Sequence, residues 1–99
     1  MSSWNDRSPL PLRALQVFEA AARFQNFTAA GEDLGITQSA VSRKVSELEA
    51  ILGVQLFQRS GPNLSLTPQG GALAMRVTYA LGDLNRACAG FSQPQSLML

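Results

Sequence analysis

The stretch Leu34-Gly35-Ile36-Thr37 constrains this chain most tightly. Glycine tolerates the left-handed conformation that ends helices, and a threonine two residues later can open the next helix by accepting a bond from a free backbone N–H. Apolar residues recur at helical spacing on both sides of it. Two helices separated by so short a turn form a helix-turn-helix, and Ile36 plugs the turn between them.

The rest of the chain supplies what such a unit packs against. A first helix is expected over about Pro11 to Phe24, where Leu12, Leu15, Phe18 and Ala22 make a stripe that Val17, Ala21 and Phe24 widen. Arg13, Gln16 and Arg23 would face water. The second helix is expected from a cap at Thr28 to Leu34, with Gly31 at its third position unable to complete a capping box. The third, Gln38 to Leu52, carries Val41, Val45, Leu48 and Leu52 at spacings of four, three and four and ends at Gly53. Two short alternating stretches, Val54 to Gln58 and Leu64 to Leu66, flank the turn-rich Arg59-Ser60-Gly61-Pro62-Asn63 and read as a hairpin. Thr67 before Pro68 is a cap with proline at the first helical position, opening a fourth helix to Cys88 or Ala89 with Gly90 as its stop. The expected fold is mainly α: a winged helix-turn-helix over residues 1–67, with a small β-hairpin wing, then a long linker helix over 68–90 and a patternless tail over 91–99.

Composition removes many activities. The 99 residues contain no histidine and one cysteine, Cys88, so neither a His/Cys zinc site, a Ser-His-Asp or Cys-His pair nor an internal disulfide can form. The Asp, Glu, Ser and Lys residues form no recognisable catalytic constellation. No enzyme activity, metal or cofactor is expected. A 45% hydrophobic share supports a packed core, and with no long apolar run no membrane span is expected. The start lacks the basic-then-apolar order of a secretory signal, and a cytoplasmic location is expected. A net charge of +1 does not identify a partner by bulk electrostatics.

The partner is suggested by the outward face of the third helix. Opposite its apolar stripe lie Ser39, Ser42, Arg43 and Ser46, with Gln38 at the N-terminal end. A DNA major groove about 12 Å wide admits such a helix, and arginine or glutamine can read base edges through two bonds. Any single serine there suits a merely solvated surface. Three together, in place of the usual Glu, Lys and Gln, lower helix propensity without a local gain. The helix N-termini at Thr28 and Thr37 offer N–H groups to phosphates, and Arg59, at the base of the wing, is the expected phosphate clamp. An acidic or apolar face would instead have marked a winged helix that binds protein and never touches DNA.

These residues resemble the LysR-type transcriptional regulators of bacteria. The resemblance runs from Leu12 to about Leu73 through Leu15-x-x-Phe18, Phe27-Thr28-x-Ala30, Leu34-Gly35-Ile36-Thr37-Gln38-Ser39-Ala40-Val41-Ser42-Arg43, Leu48-Glu49, Leu52-Gly53-Val54, Leu56-Phe57-x-Arg59 and Leu66-Thr67-x-x-Gly70. The stretch Phe18-Glu19-Ala20-Ala21-Ala22-Arg23 looks like the branch of glycine-cleavage and beta-lactamase regulators. The resemblance implies that Gln38, Ser39, Ser42 and Arg43 face bases or nearby phosphates, that Thr28 and Arg59 hold the backbone, and that the fourth helix pairs two subunits. It also implies a C-terminal domain, outside this chain, through which a small-molecule effector acts, and a tetramer is allowed for the full-length regulator. This chain is then the DNA-binding part of a longer or truncated protein. Three positions depart from the pattern: Gly31 stands where alanine is usual, which should loosen the second helix, and Pro62-Asn63 stands where the wing is often basic.

The fourth helix carries its own argument for a homodimer. Leu73, Val77, Leu81, Leu84 and Cys88 line one side, with Met75 and Tyr79 beside them, giving more apolar surface than a small core can cover. The competing reading is that the stripe packs on the first helix, as part of it must. Two copies paired antiparallel would present two recognition helices to a pseudo-palindromic operator with half-sites spaced by whole helical turns.

Overall fold

In the computed structural model, which describes residues 9–60 and 63–92, the order is α1 (Leu12–Phe24), α2 (Phe27–Leu34), α3 (Gln38–Leu52), β1 (Phe57–Ser60), β2 (Asn63–Leu66) and α4 (Pro68–Ser92). Three helices pack around one core, a two-stranded antiparallel hairpin closes it, and α4 lies along α1. Residues 1–8, Gly61 and Pro62 of the expected turn, and residues 93–99, read from the sequence as part of a patternless tail, lie outside the described residues.

The core is built on the sides of α1 and α3 that face each other. Phe18, Val17, Val41, Val45 and Leu48 are fully buried, together with Leu56 and Phe57 from the start of the wing. Each such side chain contributes about 1.5–3 kcal/mol relative to an exposed one. Ala14, Ala20 and Ala21 are buried too, because small side chains let α1 be approached from several sides. Leu12 and Phe24, expected in the stripe, sit at the helix ends and are exposed.

Several expected boundaries move. Helix α2 is capped by Asn26, whose Oδ1 accepts from the Ala29 N–H at 2.8 Å. The Asn26 backbone is extended, as a capping residue's must be, while Thr28 is already helical and caps nothing. Gly31, expected to loosen α2, has a packing role there. It is buried, and a Cβ there would stand 2.6 Å from the Ile36 carbonyl oxygen, so glycine is what lets α2 lie against the turn into α3.

The wing begins at Phe57, three residues later than expected, and its register runs from Phe57 opposite Leu66 to Ser60 opposite Asn63. Arg59 and Ser60 are therefore strand residues, not turn residues. The reason lies in the partners of the preceding segment. The Glu49 Oε2, on α3, accepts from the Leu56 N–H at 2.8 Å and the Phe57 N–H at 3.3 Å. The Leu56 carbonyl accepts from the Thr67 N–H at 3.0 Å, and the Gln55 carbonyl from the Thr67 hydroxyl at 2.7 Å. The groups of Gln55 and Leu56 are thereby tied to α3 and to the entry of α4.

Thr67 caps α4, accepting from the Gly70 N–H at 2.9 Å. The helix passes through Gly90 to Ser92, so Phe91 belongs to it and not to a tail. A glycine inside a helix costs about 1 kcal/mol relative to alanine, which does not by itself end one. At 25 residues α4 is about 37 Å long, whereas the 13 residues of α1 span about 20 Å. Helix α4 therefore outruns its support.

Candidate nucleic-acid interface

Helix α3 has two faces of different chemistry. Inward are Val41, Val45, Leu48 and the carboxylate of Glu49, all buried. Outward are Gln38, Ser39, Arg43 and Ser46, exposed, and Ser42, half-buried. The helix is held at its start by Thr37, whose Oγ1 accepts from the Ala40 N–H at 3.1 Å. The turn before it is tight: Gly35, at φ 73°, and Ile36 both donate their N–H to the Gly31 carbonyl, Ile36 at 2.9 Å. This is the turn expected from the sequence.

The charges of α3 are sorted by the same geometry. Lys44 pairs with Glu47 at 3.4 Å, and Glu49 is turned inward. Arg43 makes no ion pair among the described residues. Its five N–H donors stay available to an acceptor outside the chain.

Arg59 is exposed on β1, and its guanidinium lies over the Phe27 ring, 5.4 Å from the centroid. That contact brings it to the first turn of α2, where Thr28 is exposed. Arg59 also has no ion pair among the described residues. By contrast, Arg23 bonds Glu19 at 3.1 Å and approaches Asp33 at 3.6 Å, and Arg86 approaches Asp83 at 3.9 Å. The hydrogen bond to Glu19 raises the Arg23 pKa above its ordinary value.

The side chains expected at a dimer contact divide along α4. Leu73 packs against the core and Val77 is buried within the chain, so neither is free for a partner. Leu81 is half-buried; Leu84 and Cys88 are exposed, as are Met75, Tyr79 and Phe91. The exposed apolar side chains thus fall into two sets: Leu84 and Phe91 continue the side of Leu73, Val77 and Leu81 toward the C-terminal end of α4, while Met75 and Tyr79 lie on roughly the opposite side.

The reading of the sequence missed Asn26, Phe27 and Glu49. Asn26 was legible as a capping residue but competed with Thr28 two positions on. The other two act through contacts between distant segments, which spacing does not show. Among the described residues no group of three His, Cys, Asp or Glu could hold a metal, and no helix is long and apolar enough to cross a membrane.

A short second helix, a tight turn, an exposed third helix and a following hairpin make a winged helix-turn-helix. The model of the bacterial regulatory helix-turn-helix proteins of the lysR family matches residues 12–71, and the chain belongs to that family. It is 46% identical over 87 residues to the carbapenem-hydrolyzing beta-lactamase transcriptional activator of Enterobacter cloacae, covering 88% of this chain and 30% of that protein. It is 43% identical over 77 residues to the glycine cleavage system transcriptional activator of Escherichia coli K12, covering 78% and 25%. Both belong to the branch that the Phe18 to Arg23 stretch resembles. These relatives are regulators and not enzymes. The chain spans less than a third of the length of either. Among solved structures, the BenM DBD in its complex with catB site 1 DNA is similar at a TM-score of 0.74 and 32% identity, over 79% of this chain and 87% of that one. The CbnR DBD in a DNA complex is similar at 0.65 and 36%, over 78% and 95%.

Proposed function

We propose that this chain binds double-stranded operator DNA in a sequence-specific manner, with α3 in the major groove and two copies joined through α4, as part of a bacterial transcriptional regulator acting in the cytoplasm. The observation that carries the reading is the outer face of α3: one arginine without a carboxylate partner among the described residues, set among Gln38, Ser39, Ser42 and Ser46. Small polar side chains let the helix approach base edges closely, and Arg43 and Gln38 can each make two bonds to a purine. Thr28 and Arg59 hold phosphates, which position the domain but read no base. Thr37 keeps the entry of α3 in place, its oxygen accepting from the Ala40 N–H, and its hydroxyl hydrogen remains able to donate to a phosphate. The DNA complexes among the solved neighbours support the same reading. An effector and any tetramer belong to the longer regulator.

Selecting bound sequences from a random duplex pool tests this directly. The expected result is an enriched motif with two symmetric halves spaced by whole helical turns, bound with an affinity that falls steeply as salt rises. No enrichment and no salt-dependent binding would refute it and favour a winged helix that binds protein. Sedimentation decides the pairing. The unmodified chain should be a dimer at micromolar concentration, and Leu81→Lys with Leu84→Lys a folded monomer that keeps half-site contacts. A monomeric unmodified chain would remove α4 from the interface.

A further inference from the structure

We infer that Phe27 is a positioning residue for Arg59, its ring holding the guanidinium in the orientation that grips a DNA phosphate. This rests on the DNA-binding reading and deepens it by identifying what stands behind the phosphate contact.

An exposed arginine on a two-stranded hairpin has many rotamers, and freezing one costs affinity when a ligand binds. Here one is preferred before any ligand arrives. The guanidinium carbon lies 5.4 Å from the centroid of Phe27, inside the range of about 6 Å over which a ring face attracts a cation. A cation over a ring face forms no N–H bond to a carboxylate, so its donors stay available to a phosphate. No carboxylate among the described residues occupies them.

The platform itself is anchored. Phe27 is the first residue of α2, fixed by the Asn26 cap, and its ring meets Phe57 in a T-shaped contact at 5.5 Å. Phe57 meets the buried Phe18 in the same manner at 5.6 Å. Phe57 and Arg59 are two residues apart on β1 and so project to one face, which is why both reach Phe27. A line of three rings connects the core to the guanidinium. Arg23 over Phe24, at 4.9 Å, has a comparable stack, but Glu19 and Asp33 already hold its donors.

The test compares the full chain with Phe27→Leu, Phe27→Tyr, Arg59→Ala and the Phe27→Leu/Arg59→Ala pair, binding a selected and an unrelated duplex over a range of salt. Thermal melting follows folding, and the ring-current shift of the Arg59 side-chain protons reports the stack without DNA. Phe27→Leu should abolish that shift and weaken both duplexes by about two- to fivefold, Phe27→Tyr should restore both, and the pair should bind no worse than Arg59→Ala alone. Where Phe27→Leu melts below the working temperature, Phe27→Met carries the same expectation with a more adaptable side chain. Wild-type binding by the folded variant, or losses that multiply in the pair, would overturn the proposal. Wild-type affinity and salt slope in Arg59→Ala would overturn it while leaving the α3 reading intact. A shifted Arg59 signal in a chain that binds neither duplex would instead refute the DNA reading, leaving the stack purely structural.

Discussion

Two neighbouring cations on α3 and two stacked arginines elsewhere divide this molecule into a satisfied side and an unsatisfied one. Arg23 and Lys44 each have carboxylate partners, while Arg43, next to Lys44 in the chain, and Arg59 have none among the described residues. Between α1 and α4, beside Arg23, runs an apolar groove of about 370 Å3 lined by Ala22, Leu66, Ala74, Met75 and Tyr79. The α3 face presents glutamine, serines and arginine. The difference shows how a chain of net charge +1 can suit a polyanion: what matters is which cations remain uncompensated and where, not how many there are.

The strongest way to break this contrast is to place an acid on the unsatisfied side. Ser42→Glu should lose DNA binding altogether, since a carboxylate would face phosphates, while melting stays close to that of the unmodified chain. Retained affinity in the folded variant would mean that α3 does not enter the groove. Arg43→Ala should weaken specific binding by about 1–3 kcal/mol and relax the preference at one position of the selected motif. Full affinity with an unchanged motif would move the reading role to another residue.

The inward acid of α3 should behave in the opposite way. Glu49→Ala leaves the Leu56 and Phe57 N–H groups without their acceptor and should lower stability by about 1–3 kcal/mol in chemical unfolding. Glu49→Gln should sit near the unmodified chain, because a single oxygen accepts both bonds and an amide oxygen can take its place. Equal losses in the two would show that the negative charge, and not the acceptor, matters there. The smallest effect is expected on the satisfied side. Arg23→Ala should change stability by under about 1 kcal/mol, as exposed ion pairs do, and leave DNA affinity unaltered. A loss comparable to that of Arg43→Ala would erase the distinction between the two sides.

Much of this was legible one segment at a time. Capping by Thr37 and Thr67, the end of α2 at Gly35 and the outward set on α3 follow from residues within a few positions of one another, and local periodicity and cap chemistry report such features. The misread points involve competition or distance. Asn26 and Thr28 are both capping residues, and asparagine, the stronger of the two, takes the role. Gly31 looks like a weak helix residue until the Ile36 carbonyl is seen beside it.

The sequence by itself determined the helix-turn-helix, the outward polar face of α3 and the presence of a wing, because each depends on helical or strand period and on a few punctuating residues. The tertiary structure decided where the wing begins, since Glu49 and Thr67 hold the backbone of Gln55 to Phe57 from two different helices. It decided that Leu73 and Val77 belong to the chain's own packing while Leu84 is exposed, because α1 is too short to cover α4. It also seated Arg59 on Phe27. A contact between residues 32 positions apart is set by how the elements close upon one another, and no pattern along the chain carries that information.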